Sequence, residues 1–463
     1  MSAPLTREPC AAGDVAGPSG SSTAALAAAV LGFFVITLDA LIVNVTLPAI
    51  RDDLGGGTTG LQWVLDAYTL MFAALLLSAG AVSDRAGARR TFGAGMAVFV
   101  VASAAGGLAP TLALLVAARL VQGVGASMML PSSLTLIREA HPDPVRRGRA
   151  IAVWTVAGSV AAAAGPVAGG TLSAVSWRMI FFINLPIGVA ALLLLTRAPR
   201  SPRRPAPLDR TGQVSAVLAM GGFTFAVIEA GADGFGAPRV LAAFAVAVPA
   251  LAVFLVAQFR GRHPMVPPDL FRSRAVLIAS GNGFAFMAGL SGTVFLYSLY
   301  LQQERGLSAL AAGLVFLPMT VLSAFLGVPT ARVTERLGPK VPIIGGLSLM
   351  SVGLVVLAAL PASTPAWLMA LAMIPVGICG PLAMQPTTGL LLESVPAHRS
   401  GVVGGVFNSS RQIGGALAVA VFGALLASPA NPLDGLRTGL LTAAALTLTA
   451  AVANLWLPHP SRS

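Results

Sequence analysis

The chain has 463 residues, of which 56% are hydrophobic and only 10% charged, with a formal net charge of +12 and a mean hydropathy of +0.83. So few charges over such a length exclude an ordinary soluble domain and indicate a polytopic membrane protein. In a soluble chain the positive balance would suggest nucleic acid, but here the bases sit in short segments between apolar runs, so topology accounts for them and no nucleic-acid partner is expected.

Residues 1–22 mix Arg7, Glu8 and Asp14 with Gly, Ser and Pro and are expected as a retained, disordered cytoplasmic tail. Beyond them, fourteen apolar runs begin near Thr23, Leu61, Thr91, Leu112, Ala150, Met179, Gly212, Val240, Val276, Ser308, Val341, Ala366, Gly401 and Thr438. An even number puts both termini on one side. With that side cytoplasmic, most arginines fall inside, while Arg51, Arg178, Arg239, Arg305 and Arg437 fall outside. The longest inner segments, 197–211 and 260–275, bracket the seventh and eighth runs. The expected organisation is an all-α chain with a six-helix bundle (23–200), an inserted helix pair with its flanking loops (201–275), a second six-helix bundle (276–457) and a short cytoplasmic tail (458–463).

The first run holds a carboxylate, Asp39, within Thr37-Leu-Asp-Ala-Leu-Ile-Val-Asn-Val-Thr-Leu-Pro48. A charge at such depth costs at least roughly 2.5 to 3.5 kcal/mol, so it faces a protein interior and marks an ion or substrate path, or else it is an acid that only packs helices. Arg119 in the fourth run lies at a similar depth, roughly 13 Å from the same end at 1.5 Å per residue. The two are therefore expected to pair, either as a structural salt bridge or as a protonatable acid beside a fixed cation.

After the second run comes Gly80-Ala-Val-Ser-Asp84-Arg85-Ala-Gly87-Ala-Arg89-Arg90, and after the tenth comes Glu335-Arg336-Leu-Gly338-Pro-Lys340 in the same register of acid, Arg, Gly and base. Duplicated halves are a common construction of secondary transporters. Gly80 is expected to permit close helix approach and Asp84 to accept hydrogen bonds from the next helix N-terminus. The fifth run carries Gly158 and then Gly165-Pro166-Val-Ala-Gly169-Gly170. Its proline bends the helix, and Gly165 and Gly169 offer a smooth face, expected to meet a helix of the opposite half.

Cys10 and Cys379 stand far apart, and His141, His263, His398 and His459 occupy separate loops or the tail, so neither a disulfide framework nor a metal site is expected. Lys340, the single lysine, lacks the glycine of a phosphate-binding loop. No cofactor is expected, and transport would draw on a gradient or an outside ATPase. Glu229, near the outer end of the seventh run, is read as a solvated helix end.

These motifs support a resemblance. Gly80 to Arg90 resembles the loop signature of the major facilitator superfamily, which implies a conformational latch made of Gly80, Asp84, Arg85, Gly87, Arg89 and Arg90. Arg119 to Ala126 is similar to the family's second signature. Gly158, Gly165, Pro166, Gly169 and Gly170 resemble its antiporter signature and imply a hinge. Together with Leu38-Asp39, Asn44 to Pro48, and Trp177 to Gly188, the chain resembles the fourteen-helix drug:proton antiporter branch of the EmrB/QacA type, over essentially everything after residue 22. The resemblance implies proton-coupled export of lipophilic drugs or antibiotics by a monomer in the cell membrane, driven by the proton gradient, with small lipophilic substrate, protons and the lipid bilayer as partners. Proton coupling falls to Asp39 and Arg119. Asn44, Asp66, Gln122, Asn408, Arg411 and Gln412 are candidates for the substrate cavity, with a structural role for Arg411 and Gln412 left open. The tenth run, from Ser308 to Thr330, lacks the acid of members that export divalent cations. The arginine-rich composition suits an actinobacterial resistance exporter. Alternatives are an exporter of an endogenous metabolite with the same machinery, an importer, and a transport-inactive receptor, the last disfavoured by loops too short for an output domain.

Overall fold

The computed structural model describes residues 20–457 apart from 204–208, 262–263, 267, 396–399 and 427–431. The expected tails at residues 1–19 and 458–463 lie outside the described residues, as do His263 and His398. Helix α1 (Gly20–Leu54) starts three residues before the expected run. It is followed by α2 (Gly57–Ala86), α3 (Ala88–Gly107), α4 (Leu112–Ala140), α5 (Pro144–Ser173), α6 (Met179–Phe182) and α7 (Asn184–Thr196). Next come α8 (Arg210–Asp233) and α9 (Pro238–Arg260). The remainder is α10 (Arg274–Leu299), α11 (Ala309–Phe325), α12 (Gly327–Leu337), α13 (Lys340–Ala359), α14 (Ala366–Ala372), α15 (Ile374–Cys379), α16 (Gln385–Glu393), α17 (Ser400–Leu426) and α18 (Pro432–Ala453).

Local chemistry sets many of these boundaries. Asp143 and Asp209 cap α5 and α8 by accepting from the amides of Arg146 and Gly212, both at 2.7 Å, which satisfies donors that a helix start leaves free. Gly87 (φ 90°) and Gly338 (φ 76°) end α2 and α12 in a backbone conformation that favours glycine. Pro375, Pro381 and Pro386 divide the twelfth run into α14, α15, a π-helical turn at Gly380–Met384, and α16, because each proline removes a helical donor.

Among the described residues, twelve helical stretches are long and apolar enough to cross a membrane. The third and tenth expected runs also form helices, α3 and α11, but fall outside those twelve. Glycines and a paired-arginine start dilute α3, and α11 is a shorter apolar helix. At 35 residues, α1 is roughly 52 Å long, well beyond a hydrocarbon core of about 30 Å.

Helices α1 to α7 pack on one another, as do α10 to α18, while α8 and α9 pair and α8 lies against α2 and α17. The two halves meet along α1 with α10 and α11, α2 with α17, and α5 with α11. One apolar cluster crosses this boundary: Leu47, Ile50 and Leu61 of the first half are grouped with Phe295, Leu299 and Val419 of the second. It sits at the end of the molecule marked by the turn from α1 to α2. At the opposite end, clefts of ≈ 420 Å³ and ≈ 260 Å³ flank the two repeated turns, one lined by Glu335 and Pro339, the other by Ser83 and Asp84.

Candidate functional site: a buried charge network

Asp39 is fully buried and Arg119 is 1% exposed. One carboxylate oxygen, Asp39 Oδ2, pairs with Arg119 Nη1. The other, Oδ1, accepts from Asn184 Nδ2 at 2.9 Å and Gln122 Nε2 at 3.3 Å. The guanidinium also donates through Nε to the Val64 carbonyl at 3.0 Å and through Nη1 to Gln122 Oε1 at 3.1 Å. Its carbon lies 4.4 Å from the Tyr68 ring centre. Asn184 extends the network to Ser103 Oγ at 3.0 Å, which donates to the Phe181 carbonyl at 2.8 Å. Every member belongs to the first half. Burying an ion pair is favourable only when its remaining lone pairs and protons are matched, and here α2, α4 and α7 supply the matches.

Gln122, expected in a substrate cavity, instead belongs to this network because it stands one turn beyond Arg119 on the same face of α4. Asn184 and Ser103 were not among the expected site residues. An amide in the middle of an apolar run is the signal that identifies Asn184.

The other cavity candidates are dispersed. The Asn44 side chain folds back onto its own helix, donating to the carbonyls of Ala40 (3.2 Å) and Leu41 (3.4 Å). Asn408 similarly donates to the Gly404 carbonyl at 3.0 Å, and Gln412 is half-buried. Asp66 is fully buried, and neither carboxylate oxygen has a hydrogen-bond partner. Arg411 is half-buried over Gly283 and near Phe286, Phe407 and Met287, with Nε unpartnered. Glu229 is 8% exposed and pairs with Arg239 at 3.2 Å. It is a buried carboxylate paired with an exposed arginine at the start of the next helix, rather than the solvated end expected.

The repeated turns serve similar ends in the two halves. Arg89 Nη2 donates to the Thr196 carbonyl at the end of α7 (2.8 Å), and Lys340 Nζ donates to the Leu455 carbonyl just beyond α18 (2.7 Å). Each base thus ties the turn to the last helix of its own half. Asp84, Arg85 and Arg90 are exposed. The expected capping by Asp84 is not observed: the Arg89 amide at the start of α3 is instead taken by Ser201 Oγ at 3.0 Å, itself bound to Glu139 at 2.5 Å. A Cβ at Gly80 would meet nothing within 4 Å. The close approach expected there is absent because no helix stands against that side of α2.

On α5 the glycines divide between two neighbours. A Cβ at Gly165 would lie 3.0 Å from Leu41 and one at Gly169 2.7 Å from the Ile42 carbonyl, while Gly158 faces the Phe33 ring. These three pack on α1, within their own half, contrary to the expected contact with the opposite half. That contact is made one residue further round the helix. Gly170 abuts Leu310 of α11 (2.6 Å from a Cβ), and Pro166 presents its carbonyl to Gly313.

Known proteins share both sequence and architecture with this chain. It is 35% identical to a methylenomycin A resistance protein of Streptomyces coelicolor, covering 89% of this chain and 87% of that protein. It is also 35% identical to a tetracenomycin C resistance and export protein of Streptomyces glaucescens, over 87% and 76% respectively. A D-xylose-proton symporter crystal structure superposes with a TM-score of 0.69 at 15% identity, covering 96% of this chain and 99% of the other, which establishes a shared fold. Residues 29–419 match the profile of the Major Facilitator Superfamily, and the chain belongs to that family.

Proposed function

We propose that the protein exports a lipophilic drug or antibiotic across the cell membrane in exchange for protons and thereby confers resistance. The observation that carries the coupling is the Asp39–Arg119 pair. It is a carboxylate inside a membrane-spanning helix, next to a fixed cation, on an oxygen set that Gln122 and Asn184 complete. Binding a proton at Asp39 weakens its hold on Arg119, and releasing it restores the pair. The two states therefore favour different arrangements of the helices that meet there. Relatives named for antibiotic resistance and export support the direction of transport and the substrate class.

In this reading α3 and α11 join the twelve longer stretches to make fourteen spans, both termini are cytoplasmic, and the chain acts as a monomer. The asymmetry of arginines then places the turn from α1 to α2 outside. The conformation is closed outward, with the repeated turns and their clefts on the cytoplasmic side. Asp66, buried without a partner, and Arg411 are the polar groups retained for the substrate path. Asp84, Arg85, Gly87, Arg89 and Arg90 are the inner latch in its released state, and Pro166 with Gly170 is the part of the hinge that reaches the other half.

Growth inhibition by an antibiotic panel in a pump-deficient host tests export. Uptake of the responding compound into inverted vesicles, with and without an uncoupler, tests coupling. Resistance that survives the uncoupler would remove proton antiport, and a panel with no response would redirect the search to endogenous metabolites.

A further inference from the structure

Pro48 lies inside α1, and its missing N–H leaves the Asn44 carbonyl one turn earlier without a helical donor. The opposite half supplies a replacement: Ser298 Oγ of α10 donates to that carbonyl at 2.5 Å. Gln302 Nε2 donates to the adjacent Val45 carbonyl at 3.0 Å and also contacts Ser298 Oγ at 3.2 Å. Gln302 sits in a π-helical turn, Tyr300–Glu304, that extends α10 at this point, a local widening often found at functional positions. Across the boundary, Gln62 Nε2 of α2 donates to the carbonyls of Val419 (3.1 Å) and Ala420 (2.8 Å) in α17. Gln62 is 1% exposed and Ser298 fully buried.

Among the described residues, the one other hydrogen bond joining the two halves is the long contact from Ser409 Oγ to the Ala73 carbonyl, 3.5 Å, nearer mid-height. The short bonds are therefore gathered at one end, beside the apolar cluster of Leu47, Phe295 and Leu299. All run from an amide or hydroxyl side chain to a backbone carbonyl.

We propose that Gln62, Ser298 and Gln302 are the gate residues of this end: side chains that clamp carbonyls of the opposite half, one of them freed for the purpose by Pro48, and let go in each transport cycle. The proposal rests on the transport reading above. The clamp has a graded strength, because each bond contributes modestly in net terms. Losing one shifts the ratio of open to closed molecules by about two- to tenfold. The Asn44 carbonyl that Pro48 leaves free also makes the effect conditional. Restoring an N–H at residue 48 gives the Asn44 carbonyl a donor within its own helix and weakens the need for Ser298.

The test uses the full chain in lipid nanodiscs, with Cys10→Ser and Cys379→Ser, and spin labels at the exposed positions Asp52 and Gln303 on the two sides of the closed end. Ser298→Ala and Gln62→Ala should each add a longer-distance population, enriched about two- to tenfold, while Ser298→Thr, which keeps the hydroxyl, should resemble the parent. Pro48→Ala should act in the same direction, and Ser298→Ala should add little on top of it, a non-additivity expected of residues sharing one partner. Distance distributions for Ser298→Ala and Gln62→Ala that match the parent would overturn the gate. If the variants open this end but no compound is exported by the parent, the gate stands and the drug-export reading falls.

Discussion

Asn184 Nδ2 lies 2.9 Å from Asp39 Oδ1, the oxygen that Arg119 leaves free. A residue from the sixth expected run thus joins a network otherwise built from the first four. The proposed coupling site is therefore a junction of α1, α2, α4 and α7 rather than a two-helix salt bridge, and the predictions for the site follow from that geometry.

Replacing Asp39 with Asn keeps the shape and removes the carboxylate proposed to bind the proton. Uncoupler-sensitive export should be lost. Arg119 would then be a buried cation without its counter-ion, for which about 3 to 5 kcal/mol of destabilisation is expected, visible as a lower melting temperature. The double variant Asp39→Asn, Arg119→Gln should recover stability without recovering export. Full resistance from the Asn variant would show that coupling lies elsewhere.

Arg119→Lys retains the charge but not the fork. A lysine ammonium has no planar set of donors with which to reach Asp39, the Val64 carbonyl and Gln122 together. Export should fall by about tenfold or more, corresponding to roughly 1.4 kcal/mol or more, while the substrate still binds. Vesicle uptake beside a binding measurement separates the two effects. Equal transport by the Lys variant would mean that charge alone suffices.

The division of the α5 glycines gives two different failures. Gly165→Leu intrudes on Leu41 within one half and should lower the melting temperature by overpacking, on the order of 1 to 3 kcal/mol. Gly170→Leu intrudes on Leu310 across the boundary. It should leave the fold intact, abolish export and lengthen the distance between labels at Asp52 and Gln303. If both variants behaved alike, the two faces of α5 would not be distinct in function.

Arg89→Ala and Lys340→Ala each remove a cation from the carbonyls ending a half's last helix. Each should cost about 0.3 to 1 kcal/mol. Because they lie in different halves, their effects on thermal unfolding should add. A strong excess in the double variant would show that the repeated turns communicate.

The sequence made some of this legible and hid the rest for a physical reason. Counting 1.5 Å per residue gives depth along a helix, and depth was enough to pair Asp39 with Arg119. It gives no bearing around the bundle, so nothing placed Asn184 beside an acid 145 residues away. Helical spacing likewise puts Gly165 and Gly169 on one face, but not the neighbour that face meets: α1 occupies it, and the opposite half touches the adjacent stripe. The family resemblance makes Gln122 a cavity candidate, although its three-residue spacing from Arg119 puts it within reach of the guanidinium. The clamps of Ser298, Gln302 and Gln62 were illegible because their acceptors are backbone carbonyls, which carry no mark in the side-chain alphabet. Pro48 was the only clue that one such carbonyl had been set free.

The inserted pair meets the two halves unequally. Among the described residues, α8 hydrogen-bonds to the first half through α2: Gln213 Nε2 donates to the Ala74 carbonyl (2.9 Å) and Glu229 accepts from Trp63 Nε1 (3.5 Å). Against α17 it presents the apolar side chains Val227 and Ile228, which pack with Ala420. Directional bonds resist sliding, and apolar contact tolerates it. In the proposed transport cycle α8 and α9 would travel as passengers of the first half, with the α8 contact to α17 as a lubricated bearing. The protein is thereby two helices wider in the membrane without a new set of bonds to break at every stroke.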